Sequence, residues 1–168
     1  YCMAGFQTSD SGYIAYGGGF TTDLFNMFFL IKINSAGNAI WGKKYNRSIG
    51  YGSYGATYGA KPTTDGGYIF MGNDLGDVSS NNKRDVYLIK TNSNGDTLWT
   101  KKYGMLTNME EFYSGIEQTL DRGFITAGAT IDTITWIPKT YLLKTDSLGF
   151  TGGCYEYATD ITVSSFSV

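Results

Sequence analysis

Histidine is missing from this 168-residue chain. Ser-His-Asp and Cys-His relays and HExxH metal sites, which all need an imidazole titrating near neutrality, are therefore excluded. Charge is scarce as well: Lys+Arg 13 against Asp+Glu 15 leaves a net charge of -2. That balance removes the basic footprint of a nucleic-acid binder and of a protein held to anionic lipid. No apolar run approaches the ~20 residues that would span a bilayer. No basic stretch followed by an apolar core opens the chain, so a signal peptide is not visible. With only 2 prolines and 2 cysteines, neither a proline-rich linker nor a disulfide-dense scaffold is in view.

What the chain has in quantity is aromatic residues and glycine: 14 tyrosines, 10 phenylalanines and 23 glycines. Aromatics suit pleated surfaces and glycine supplies positive φ at tight turns, so the expected class is all-β with many short strands.

The decisive feature is internal repetition. Asp10-Ser11-Gly12-Tyr13-Ile14, Asp65-Gly66-Gly67-Tyr68-Ile69 and Asp121-Arg122-Gly123-Phe124-Ile125 recur about 55 residues apart. Each is followed by an apolar run ending in lysine: Phe28-Phe29-Leu30-Ile31-Lys32, Val86-Tyr87-Leu88-Ile89-Lys90 and Thr140-Tyr141-Leu142-Leu143-Lys144. A turn follows in each copy, Asn34 to Gly37, Asn92 to Gly95 and Asp146 to Gly149. It leads into Ile40-Trp41-Gly42-Lys43-Lys44-Tyr45 and Leu98-Trp99-Thr100-Lys101-Lys102-Tyr103. The third copy departs there, reading Phe150-Thr151-Gly152-Gly153-Cys154-Tyr155.

Each unit thus holds four strand candidates joined by hairpin turns, and successive strands should pair antiparallel. Four-stranded meanders repeated at this kind of period are the pattern of β-propeller blades. The run Val86-Tyr87-Leu88-Ile89 is apolar at consecutive positions, as a strand covered on both faces requires. The expectation is three four-stranded antiparallel blades over residues 1–49, 50–105 and 106–157, with 158–168 an exit segment or linker. An arc of three blades would leave its end faces in water. Further blades of the same chain, preferred here because the chain opens on Tyr1 inside a strand-like segment, or a second chain are expected to cover them.

The pattern resembles the tandem propeller repeats of secreted and surface proteins of Bacteroidota, which often carry a type IX secretion sorting domain. The likeness spans roughly residues 5–157 and is fullest over 65–104. Gly153-Cys154 followed by a Ser/Thr/Val-rich stretch is similar to the exit of such a last blade. The resemblance implies export to the medium or the outer-membrane surface, no enzymatic activity, no cofactor, and a scaffold or interaction role. Its implied partners are further blades or another cell-surface protein.

Residues outside the repeat are the better binding candidates, because the scaffold does not require them. Ile134, Trp136 and Ile137 lie in a loop that is polar in the middle unit, and Phe25 lies in the matching loop of the first. Trp136 either forms a contact surface there or folds back over a last blade that lacks its own repeat tryptophan. Tyr51 and Tyr54, interleaved with glycines, either stack on sugar rings in a lectin-like propeller or belong to a tight innermost strand. Trp41 and Trp99 are read as packing between blades, and Lys32, Lys90 and Lys144 as strand-end residues that snorkel to solvent or blunt an edge.

Asn92 to Asp96 lacks the later glutamate of a calcium loop, so no metal site is expected. Glu110 and Glu111 point to opposite faces of a strand and cannot converge on one bond; with Glu117 they read as solvated charges. Cys2 and Cys154 either pair as a disulfide or leave Cys2 as a small buried residue. Thr133, in Asp132-Thr133-Ile134, matches the Asp-Ser/Thr-aliphatic O-glycosylation pattern of the same bacteria.

Overall fold

A computed structural model describes residues 2–20, 26–47, 57–75, 84–104, 108–111, 115–132, 134–153, 156–158 and 161–167. No helix occurs among the described residues, and every strand pairing is antiparallel.

The first unit is built from β1 (Cys2–Gln7), β2 (Tyr13–Phe20), β3 (Asn26–Ile33) and β4 (Ala39–Arg47). The second is built from β5 (Thr57–Pro62), β6 (Tyr68–Leu75), β7 (Arg84–Thr91) and β8 (Thr97–Tyr103). The third has β9 (Asn108–Glu111) and β10 (Ile116–Gln118) end to end along one edge of β11 (Phe124–Asp132), then β12 (Pro138–Thr145) on the other. Each unit is a meander in sequence order, as the hairpin turns dictate.

Two details differ from the expectation of three equal four-stranded units. The third unit has no fourth strand among its described residues. Its sequence explains this, because Gly153, directly after Gly152, stands where tryptophan stands in the other two, and glycine weakens a strand. Residues 158–168, expected to be a linker, carry strand instead. β13 (Glu156–Ala158) pairs with β8, and β14 (Ile161–Phe166) pairs with β4 from Ile161↔Arg47 to Phe166↔Gly42. The first two sheets therefore have five strands, and the chain's end covers their outer edges, whose backbone groups would otherwise lack partners.

The apolar cores lie between units rather than within them. One joins Ile14, Leu30 and Tyr45 of the first unit to Tyr68, Phe70 and Ile89 of the second. The other joins Ile69, Met71, Leu88 and Tyr103 of the second unit to Ile116, Phe124 and Leu143 of the third. Residues alternate along a strand, so Leu88 faces one neighbour and Ile89 the other, and both are fully buried. That is the physical reason the run at 86–89 is apolar at every position. Three separate sheets result, without a closed ring among the described residues.

Candidate functional site

The topology sorts the loops. The β1–β2 and β3–β4 turns and their counterparts are short and fall at one end of the sheets. The strand ends Phe20 and Asn26, Leu75 and Arg84, and Asp132 and Pro138 fall at the other.

The short-turn end is held by one network used three times. In the middle unit the Asp65 carboxylate accepts bonds from the Thr63 hydroxyl (2.6 Å) and the Gly67 N–H (3.0 Å), and pairs with Lys90 Nζ at 2.8 Å. Lys90 also donates to the Thr91 carbonyl at 2.8 Å. Thr8, Asp10, Gly12 and Lys32 repeat the arrangement, as do Thr119, Asp121, Gly123 and Lys144. A Cβ on Gly67 or Gly123 would overlap the carbonyl oxygen of Thr91 or Thr145, so the network itself demands glycine.

This corrects the reading of the repeated lysines. Lys32 and Lys90 are buried, and all three reach back to the turn of the neighbouring hairpin instead of snorkelling to solvent. Burial pushes the Asp65 carboxyl up, but the bonds from Lys90, Thr63 and Gly67 outweigh it and hold the group at about 2. The Lys32 bond holds Asp10, and the Lys144 bond holds Asp121, well below the usual carboxylate range. Carboxylates fixed in the ionised form cannot serve as proton donors near neutrality.

The same end carries the contacts that join units. Trp41, Lys43 and Tyr45 share one face of β4, because they are spaced by two. Ring carbons of Trp41 stand 2.9 Å from where a Cβ of Gly95 would be, a contact only glycine allows, and Gly95 has a φ of 76°. Lys43 pairs with Asp96 at 2.9 Å, and the Tyr45 hydroxyl donates to the Gly95 carbonyl at 2.6 Å. Burial, then the Asp96 charge, pushes the Tyr45 phenol up, so it stays a donor. One unit later Trp99 covers Gly149, Lys101 lies over the Phe150 ring, and the Tyr103 hydroxyl donates to the Gly149 carbonyl at 2.7 Å. Trp41 and Trp99 thus pack between units, as read from their recurrence. Their rings lie 6.3 Å from Tyr68 and 5.8 Å from Phe124.

A groove of about 1670 Å³ runs between the second and third units at this end. Its wall includes Trp99 and Phe124, with the exposed Leu98, Leu120 and Leu148 at the rim. Among its polar groups, Lys61 pairs with Glu117 at 2.5 Å, and Gln118 Oε1 accepts from the Thr64 N–H at 2.8 Å. Glu117 is therefore ion-paired, not merely solvated. The Asn92 carboxamide closes its own turn by accepting from the Asn94 and Asp96 N–H groups at 2.9 Å, and Asp96 is taken by Lys43.

Of the binding candidates read from the sequence, Ile134, Trp136 and Ile137 lie at the opposite end. Ile134, Trp136 and Ile137 are exposed side by side, with Trp136 at 66%. Trp136 does not fold back into a core. Asp132 organises the loop by accepting from the Ile134 and Thr135 N–H groups at 2.8 and 3.1 Å, which lowers its own proton affinity. The Trp136 N–H donates to the Asp132 carbonyl at 2.8 Å, and the residue sits at a φ of 57°, sparsely populated for a bulky side chain.

Phe25, Tyr51, Tyr54, Thr133 and Cys154 lie outside the described residues. Gly59 on β5 approaches the Gly115 backbone so closely that a Cβ would stand 3.0 Å from its Cα. That supports the tight-strand reading at Gly59. Cys2 is a free, exposed thiol rather than a buried one, because β1 is an edge strand exposed along most of its length. No group of metal-ligating side chains occurs among the described residues.

No family model matches the chain, and no curated protein does.

Proposed function

We propose that the chain is a segment of a β-propeller whose stacked blades serve as a non-enzymatic scaffold, presenting the Ile134, Trp136 and Ile137 loop to another protein outside the cell. The observation that carries this reading is the position of the two cores: each repeat unit buries its apolar surface against its neighbours. Such a stack is a rigid support for its loops. The loop is apolar, exposed and held at a strained backbone position by Asp132, which is how a rigid scaffold displays an anchor. The three turn aspartates at the other end are locked in ion pairs with lysines, and histidine is absent, which supports the non-enzymatic reading among the described residues.

Two measurements test this. Trp136→Ala should leave the urea midpoint unchanged to within about 0.5 kcal/mol, as expected for a surface side chain. A larger loss would place Trp136 in the packing and remove it as a contact. Purified chain assayed against a panel of glycosides and esters should show no saturable turnover. Turnover lost on a single substitution would overturn the scaffold reading.

A further inference from the structure

The face of the first unit that points away from the second is built like an acceptor and lacks its donor. At the two internal junctions the accepting unit offers an aromatic on its second strand, Tyr68 or Phe124, and a positive-φ glycine in its β3–β4-type turn, Gly95 or Gly149. The preceding unit covers both with tryptophan and satisfies the glycine carbonyl with a tyrosine hydroxyl.

The first unit has the same parts in the same places. Tyr13 stands where Tyr68 and Phe124 stand, and Gly37 has a φ of 87° where Gly95 and Gly149 have 76° and 80°. Yet Tyr13 is 43% exposed where its counterparts are 4% and 1%. A Cβ on Gly37 would meet nothing within 4 Å, where at Gly95 and Gly149 it would strike an indole.

We infer that the Tyr13 and Gly37 face is a docking site for a further repeat unit whose fourth strand reads Trp-x-Lys-x-Tyr. The tryptophan would lie on Gly37 and beside Tyr13. The tyrosine hydroxyl would donate to the Gly37 carbonyl, and the lysine would reach Asn38, which holds the position of Asp96. The occupant is specified by what the two internal junctions use. The third unit of a second copy is a poor donor, because Gly153 and Tyr155 stand where the tryptophan and lysine should be. The Trp41 and Trp99 strands of a second copy are already committed to their own neighbours. The inference rests on the stacked-blade reading above and adds the identity of what the open face takes.

The test is a chain carrying a second copy of residues 57–103, followed by residues 48–56 as joint, ahead of Tyr1. Hydrogen exchange is followed at the 34–38 turn and, as internal reference, at the 92–96 and 146–150 turns. Exchange at 34–38 should slow at least tenfold relative to the parent chain. That protection should be lost when the tryptophan and tyrosine of the added strand are changed to Ala and Phe, or when Tyr13→Glu is introduced.

Unchanged exchange at 34–38 overturns the proposal, as does protection that survives loss of the added tryptophan and tyrosine. Concentration-dependent protection of the parent chain with dimer formation also overturns it, by making a second copy the occupant. Slow reference turns beside a fast 34–38 turn would leave the stacked-blade reading standing, whereas fast exchange at all three turns would remove that reading itself.

Discussion

The second and third units share turns, strands and the lysine network, yet the same position has opposite fates in them. Leu88 is fully buried and its counterpart Leu142 is 63% exposed. The Lys90 side chain is 4% exposed and that of Lys144 is 39%. Pairing with the preceding strand is the same, because β7 on β6 and β12 on β11 run in matching register, Ile69↔Lys90 and Ile125↔Lys144, but β7 also pairs with β8 on its other side, where the third unit has no described strand. The next unit adds the rest: Ile116, Phe124 and Leu143 close over Leu88, and nothing described closes over Leu142. Burial in this fold is thus set by neighbouring units as well as by a unit's own sheet.

The largest effect that would sharpen the comparison is expected at the lysines. Lys90→Met strands a buried threonine carbonyl and removes the partner of Asp65, and should cost about 2–3 kcal/mol in urea denaturation. Lys144→Met should cost clearly less, because water reaches its site; equal losses would break the comparison. Next in size is Tyr103→Phe, which orphans the buried Gly149 carbonyl at the junction and should cost about 1–2 kcal/mol. The loss should appear as faster exchange at the 146–150 turn, a readout that a change confined to the second unit would leave alone.

The turns provide a smaller contrast of opposite sign. Gly66 and Arg122 occupy the same left-handed position, at φ 82° and 63°. Gly66→Ala should destabilise and Arg122→Gly stabilise, each by about 1 kcal/mol. Two changes of the same sign would mean that the turns are not equivalent.

Acid supplies the last test. The Asp65 pKa is about 2 when folded, and a free aspartate titrates near 3.9. The unfolded chain therefore takes up the proton first as pH falls. The stabilisation from this group is whole above pH ~4 and is lost on descent toward pH ~2. The urea midpoint of the parent should fall over that window, and that of Lys90→Met should fall less steeply.

Much of this was legible from the residues alone. The repeat fixed the meanders, the unbroken apolar run at 86–89 showed a strand covered on both faces, and tryptophan at the same place in two copies showed packing between units. The lysine network was not read, although its signal was present: threonine two positions before each turn aspartate recurs as Thr8, Thr63 and Thr119, in step with each lysine. Its partners sit on different hairpins, so local pattern reading treats them separately. The pairing of β14 with β4 was not legible either. Ile161–Phe166 is a short Ser/Thr/Val strand whose partner lies far back in the chain, and nothing in its period names that partner. Of the site candidates, Ile134, Trp136 and Ile137 stood out by their absence from the repeat, but that absence left open whether Trp136 faces solvent or folds back, which its 66% exposure decides. Cys2 misled because a small apolar thiol reads as core until its strand is known to be an edge.

The claim that cores lie between units is tested most directly by one series at a single repeat position. Leu30→Ala, Leu88→Ala and Leu142→Ala are to be compared by urea denaturation. The first two should each cost about 2–5 kcal/mol and the third well under 1 kcal/mol, since only the first two are packed against a following unit. Three equal losses would show that each sheet buries its own leucine, and would contradict the account.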